Sequence, residues 1–330
     1  MKRAIALFLL LVPALALEAS GAQGTRRSTE AIRISGKEYA RLSDWARAND
    51  LDLRWLKRDE TLQLSNRSVK LALAVDSREA QINGIQIWLL FPVTQREGVI
   101  WVSQLDLQTT FKPLLSPPKN RSGTSIKTVC LDPGHGGKDP GYRVGTSPEK
   151  KYTLLLAQEV RDQLTRAGFR VSLTRNTDTF VELPARADLA KQRKADVFVS
   201  LHFNASGSAQ NSVQGAEVYC LTPAGAPSTN AQGEGGGEGS FAGNRLNEKN
   251  MFLAFQVQKS LTTNLEVQDR GVHRARFAVL RDAIMPAVLI EGGFMSHPAE
   301  GRRIFSPAYR RQMARAIVDG VLAYKRGVEG

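Results

Sequence analysis

Apolar positions in the first third of the chain follow two rhythms. YARLSDWARAND places Tyr39, Leu42, Trp45 and Ala46 at helical spacing and predicts one amphipathic helix. LDLRWL, ETLQLS, SVKLALAV, IQIWLLF and VIWVS alternate or run apolar over short stretches, as strands do. In QINGIQI the Asn83-Gly84 pair stands between two such runs and predicts a tight hairpin. Residues 32–115 therefore read as a small α+β N-terminal module. It contains neither histidine nor cysteine, which favours packing or binding over chemistry. SPPKNRSGTS, crowded with proline, glycine and serine, marks a linker over 116–126.

The rhythm changes after the linker. IKTVCL predicts a strand, and YTLLLAQEVRDQLTRAG a helix stopped by Gly168. FRVSLTR, DVFVSLH, AEVYCLT, FAVLR and PAVLIEGG read as strands; PARADLAKQRKA and NMFLAFQVQKSLTTNL read as helices. SPAYRRQMARAIVDGVLAYKRG is a long closing helix with Ser306 as N-cap and Pro307 in its first turn. Alternating strands and helices over 127–328 predict an α/β domain: a mostly parallel, mixed sheet flanked by helices. TPAGAPSTNAQGEGGGEGSFAGNR, 222–245, has little to bury and is expected to be a flexible loop, either a lid or a plain surface insertion.

Residues 1–22 add a location. Lys2 and Arg3 precede an apolar run from Ala4 to Leu17, and small residues follow, the layout of a signal peptide. The run is shorter than the about 20 apolar residues of a membrane span. The expectation is export to the periplasm or cell wall, with no stable membrane span after cleavage. The formal charge of +13 then predicts attraction to envelope polyanions. No nucleic-acid-binding motif accompanies that charge, so nucleic acid is not expected as a partner. Cys130 and Cys220 lie in apolar strand-like segments, as a disulfide or as two buried thiols.

The chemistry concentrates around LDPGHGGKDPG, 131–141, which holds one of the chain's four histidines. Its glycines serve either a tight turn or a close approach. Ligands of open α/β sheets bind beyond the carboxyl ends of the strands. His135 follows the strand ending near Leu131, His202 directly follows VFVSL, and Glu291 directly follows PAVLI. Glu149 stands just before a helix, as a ligand or as a solvated helix start favoured by the dipole. Two histidines and one carboxylate make a catalytic zinc set with a position left for water, and a second acid can serve as base. A charge at Glu291, behind a buried strand, is costly without a role. His273 and His297 lie off the strand ends and read as surface or rim residues.

VCLDPGHGGKDPG, Glu149-Lys150, SLTRNTD, DVFVSLHFNAS, GAEVY, RGVHRARFAVLR and PAVLIEGGFMSHPAE occur in that order. Across 127–326 this set resembles the zinc-dependent N-acetylmuramoyl-L-alanine amidases, bacterial cell-wall hydrolases. The resemblance implies Zn2+ held by His135, Glu149 and His202, with Glu291 as general base and acid. It implies hydrolysis of the amide between N-acetylmuramic acid and L-alanine in peptidoglycan. His297 stands where many relatives have asparagine. The glycine-rich 222–245 occupies the place of an inhibitory helix found in some relatives and is too poor in apolar residues to form one. Residues 32–115 resemble copper-amine-oxidase-like modules, without residues to bind copper, and suggest contact with the wall or a protein. Two other functions fit the same ligands: a zinc peptidase acting on the stem peptide, and a catalytically inactive peptidoglycan-binding protein.

Overall fold

Eleven strands form one continuous sheet in the computed structural model, which describes residues 31–207, 212–230 and 239–330. The expected signal peptide lies outside the described residues, as does the centre of the 222–245 segment.

The N-terminal residues 31–115 form a small β-rich module. Its elements are β1 (Ala31–Ile34), β2 (Lys37–Arg41), α1 (Leu42–Ala48), β3 (Asp52–Lys57), β4 (Thr61–Ser65), β5 (Lys70–Ala74), β6 (Glu79–Ile82), β7 (Ile85–Trp88), β8 (Thr94–Arg96) and β9 (Val99–Ser103). Then come α2 (Gln104–Asp106), a π-helical stretch Leu107–Phe111 and α3 (Lys112–Leu115). The helix expected from Tyr39 begins only at Leu42. Tyr39 belongs to β2, where it packs with Ile34 and Trp101 in a small separate core. The Asn83-Gly84 turn is as expected: φ is 50° and 83° at the two residues, the left-handed pair that a two-residue hairpin needs.

The remainder contains β10 (Thr128–Pro133), β11 (Arg143–Val144), β12 (Ser147–Pro148), α4 (Glu149–Arg166), β13 (Arg170–Leu173), α5 (Leu183–Gln192), β14 (Val197–Asn204) and β15 (Ala216–Leu221). These are followed by α6 (Asn247–Leu265), β16 (Asp269–Ala275), α7 (Ala278–Arg281), β17 (Ala287–Phe294), α8 (Pro298–Phe305) and α9 (Pro307–Glu329). Sheet order is β13-β10-β14-β17-β15-β16-β7-β6-β5-β4-β3. From β13 to β16 every pairing is parallel except β15 with β17. Alternation sorts the side chains. Val129, Leu131, Val199, Leu201 and Ile290 join the core under α4, α6 and α9, while Cys130, Phe198, Tyr219 and Leu289 join a second core under α5 and α7.

Two expectations need correction here, and the alternative left open for the cysteines is decided. FAVLR is the short helix α7, because the preceding RGVHRA has already supplied the strand β16. His273, read as a rim residue, is 8% exposed inside β16. The two thiols are free and buried. Strands β14 and β17 separate them, which at about 4.8 Å per strand exceeds the reach of a disulfide.

The module is joined to this sheet edge to edge. β7 pairs parallel with β16 at Ile87 and Val272, and Asp269 Oδ2 accepts from Gln86 N–H at 2.8 Å. Arg274, fully buried, donates to Thr109 O at 2.7 Å. Between α3 and β10, Asn120 N–H donates to Val328 O at 2.8 Å, tying the connecting segment to the end of α9.

Candidate metal centre and acid–base pocket

Four of the sequence-derived site residues meet at one end of the sheet. His202 lies in β14 and Glu291 in β17, both near the carboxyl ends of their strands rather than just past them, and the two are paired in register. His135 sits on the loop after β10. Glu149 opens α4, so its carboxylate lies at the positive end of an 18-residue helix. Its oxygens face both imidazoles: Oε2 is 3.0 Å from His135 Nε2, and Oε1 is 3.1 Å from His202 Nδ1. One ligand atom from each of the three residues lies within 4.8 Å of the others.

The question of the glycine loop is answered by contact. A methyl group on Gly134 would collide with the His202 ring, and one on Gly141 would sit 2.6 Å from Glu149 Oε2. These positions are glycine because His202 and Glu149 occupy the space. His135 itself has φ +60°, a strained value for a side-chain-bearing residue. Two buried arginines hold it there. Arg186 donates to His135 O at 2.9 Å and to Asp132 Oδ1 at 2.9 Å. Arg175 donates to Gly134 O at 2.7 Å and to Pro133 O at 3.0 Å.

Sequence reasoning missed Asp139, whose Oδ2 lies 2.8 Å from His135 Nδ1. An acid bonded to the far nitrogen of an imidazole fixes ring and tautomer, as in zinc sites. Its position four residues after His135, in the same turn, was the available signal. With His, His and Glu converging and this outer carboxylate behind one imidazole, the donor set fits a zinc ion.

The two acids are driven apart. Burial would raise Glu149, but hydrogen bonds and charge from His135 and His202 outweigh it and hold its carboxyl well below the usual range. Burial raises Glu291, and the charges of Glu149 and Glu217 push it further up. Glu291 Oε2 has no hydrogen-bond partner among the described residues. Glu291 lines a cavity of about 310 Å³ with His135, Glu149 and His202, walled by Leu183, Phe277, Val279 and Leu289. One deprotonated ligand beside one proton-accepting acid is the arrangement that metal-assisted hydrolysis requires.

Glu217 was also missed. It is buried on β15 opposite Glu291 and accepts from Asn204 Nδ2 at 2.7 Å, Tyr219 OH at 2.8 Å and Arg270 Nε at 2.8 Å. His297 caps α8, its Nδ1 accepting from Glu300 N–H at 3.2 Å, and takes no part in the centre.

Residues 129–323 match the family described as N-acetylmuramoyl-L-alanine amidase. The chain is 37% identical over 233 residues to the N-acetylmuramoyl-L-alanine amidase AmiC of Neisseria meningitidis, covering 63% of this chain and 55% of that one. It thus spans about half the length of that curated relative. It is 33% identical to AmiA of Escherichia coli, covering 63% of this chain and 80% of that one. Among solved structures, an N-acetylmuramoyl-L-alanine amidase from Clostridium difficile superimposes with TM-score 0.51 at 34% identity, over 61% of this chain and 97% of that one. AmiC2 of Nostoc punctiforme gives 0.51 at 33%, over 62% and 99%.

Proposed function

Because this chain belongs to the N-acetylmuramoyl-L-alanine amidase family, we propose that it hydrolyses the amide between N-acetylmuramic acid and L-alanine in peptidoglycan. His135, Glu149 and His202 would hold Zn2+, with Glu291 as the general base and acid. The observation that carries the reading is the convergence of His135, Glu149 and His202 with a second acid, Glu291, in one cavity.

When bound there, zinc supplies Lewis acidity, polarising a carbonyl oxygen and lowering the pKa of water to about 7. The chain's residues do the rest. Asp139 orients His135, and the Arg175 and Arg186 bonds hold the loop that carries it. The Glu291 carboxylate takes the proton of the attacking water and returns it to the departing alanine nitrogen as the amide C–N bond breaks. Leu183, Phe277, Val279 and Leu289 give the cavity an apolar wall beside the base. The leader-like residues 1–22 support export to the periplasm or cell wall. Among the described residues no helix is long and apolar enough to cross a membrane. The module over 31–115 serves as a contact with the wall or a protein.

The test is product analysis of digested peptidoglycan. Free stem peptides beginning with unmodified L-alanine are expected. Cuts inside the stem would make the chain a peptidase. An uncut polymer with zinc bound would leave a wall-binding protein.

A further inference from the structure

We propose that the N-terminal module is a working part of the catalytic site: Trp88 is a positioning residue for Glu291, acting through Arg270, His273, Tyr219 and Glu217. The proposal rests on the amidase reading for the role of Glu291, and on geometry for everything else.

Glu217 and Glu291 are directly opposite on β15 and β17. Their side chains therefore share a face, with Cβ atoms about 4.5–5.5 Å apart. Glu217 cannot rotate away, since Asn204 and Tyr219 occupy Oε1 and Arg270 occupies Oε2. Glu291 Oε2 has no such partner. Its placement depends on what packs beside it, and Glu217 is the fixed neighbour on that side.

Two of the three donors to Glu217 are in turn placed by Trp88. The indole Nε1–H donates to Arg270 O at 3.0 Å. The indole ring stacks on His273, with centroids 5.4 Å apart and planes at 22°. His273 stacks on Tyr219 at 5.2 Å and 27°. The His273 ring is itself pinned at both nitrogens: Nε2 lies 3.1 Å from Arg270 O and Nδ1 lies 3.2 Å from Thr229 Oγ1. One path runs from the indole through the Arg270 backbone to its guanidinium. The other runs through two stacked rings to the Tyr219 hydroxyl. Both end on Glu217. Trp88 lies outside the 129–323 stretch that matches the family, so this support comes from the module.

The experiment compares full-length Trp88→Ala, Trp88→Phe and Glu217→Gln with Trp55→Ala, a tryptophan on β3 at the far end of the same sheet. On a soluble peptidoglycan fragment, Trp88→Ala and Glu217→Gln should each lower kcat about tenfold with KM and zinc content unchanged. Trp88→Phe keeps a ring on His273 and should recover part of the loss; Trp55→Ala should match wild type. Wild-type kcat in Trp88→Ala overturns the proposal, as does an equal loss in Trp55→Ala. The second arm needs no activity. Amide hydrogen exchange at 216–221 and 287–294 should quicken in Trp88→Ala while β10 keeps its protection. Unchanged exchange there overturns the proposal, whatever bond the enzyme cuts. Where Trp88→Ala loosens the whole chain, Trp88→Phe decides: wild-type kcat and wild-type exchange in both β15 and β17 overturn it. The amidase reading fails separately, by the absence of free N-terminal alanine from wild-type digests.

Discussion

Glu149 and Glu291 share one cavity, yet their protons are controlled in opposite senses. Glu291→Gln should lower turnover by about 10²–10⁴ while zinc, measured by atomic absorption, stays bound; an active, zinc-loaded variant removes Glu291 from its role. The same substitution has a stability signature. Burial raises the Glu291 carboxyl in the folded chain, so folding takes up a proton. The contribution of this carboxyl to the stability of the metal-free protein therefore falls as pH rises from the unfolded value, about 4.3, toward the folded one. Metal-free Glu291→Gln should be more stable than wild type by about 1–3 kcal/mol near pH 8, with the difference fading near pH 4. Urea unfolding across that range checks it, and a pH-independent difference contradicts it. Asp139→Asn should weaken zinc binding about 10–100-fold in a chelator competition, because the His135 ring loses its anchor. His135, His202 and Glu291 were legible in the sequence since runs of apolar residues end close to them. Asp139 and Glu217 were not, because what defines them is a partner on another segment.

The loop after β10 shows how secondary elements share the cost of a strained histidine. Arg186 reaches from α5 to Asp132 on β10 and to the His135 carbonyl, and both members of the ion pair are buried. Arg186→Met should destabilise the protein by about 3–5 kcal/mol, because Asp132 is left charged and without its cation. Thermal unfolding would report this, and a shift within error of wild type would contradict it. Periodicity placed most strands and the long helices well, since α4, α6 and α9 repeat their apolar residues over several turns. It failed where segments are short. Tyr39 fits a helical face with Leu42 and Trp45, yet pairing with β9 draws it into β2. FAVLR has strand composition, but four residues of α7 are enough to bury Val279 and Leu280 in the second core. α8 was not anticipated, and its Glu300 fastens the end of β17 by accepting from Phe294 N–H.

Zinc bound between His135, Glu149 and His202 would couple local chemistry to global stability. Free metal at a thousandfold over its dissociation constant stabilises the folded state by about 4 kcal/mol. Stripping it with chelator should lower Tm by roughly 8–16 °C for a domain of this size, and Zn2+ should restore it. An unchanged Tm would mean that the centre binds no metal. Composition and motif order made the division into a small first module and a larger second part readable. They carried no trace of the union of their sheets, since β7 and β16 meet through a pairing that no local pattern encodes. That union has a mechanical outcome. Two bodies on a free tether would let the cleft swing independently of whatever the first one grips. Here a shared backbone ladder and a buried arginine oppose the swing, so any surface that seizes the module also dictates the angle at which the cleft is presented.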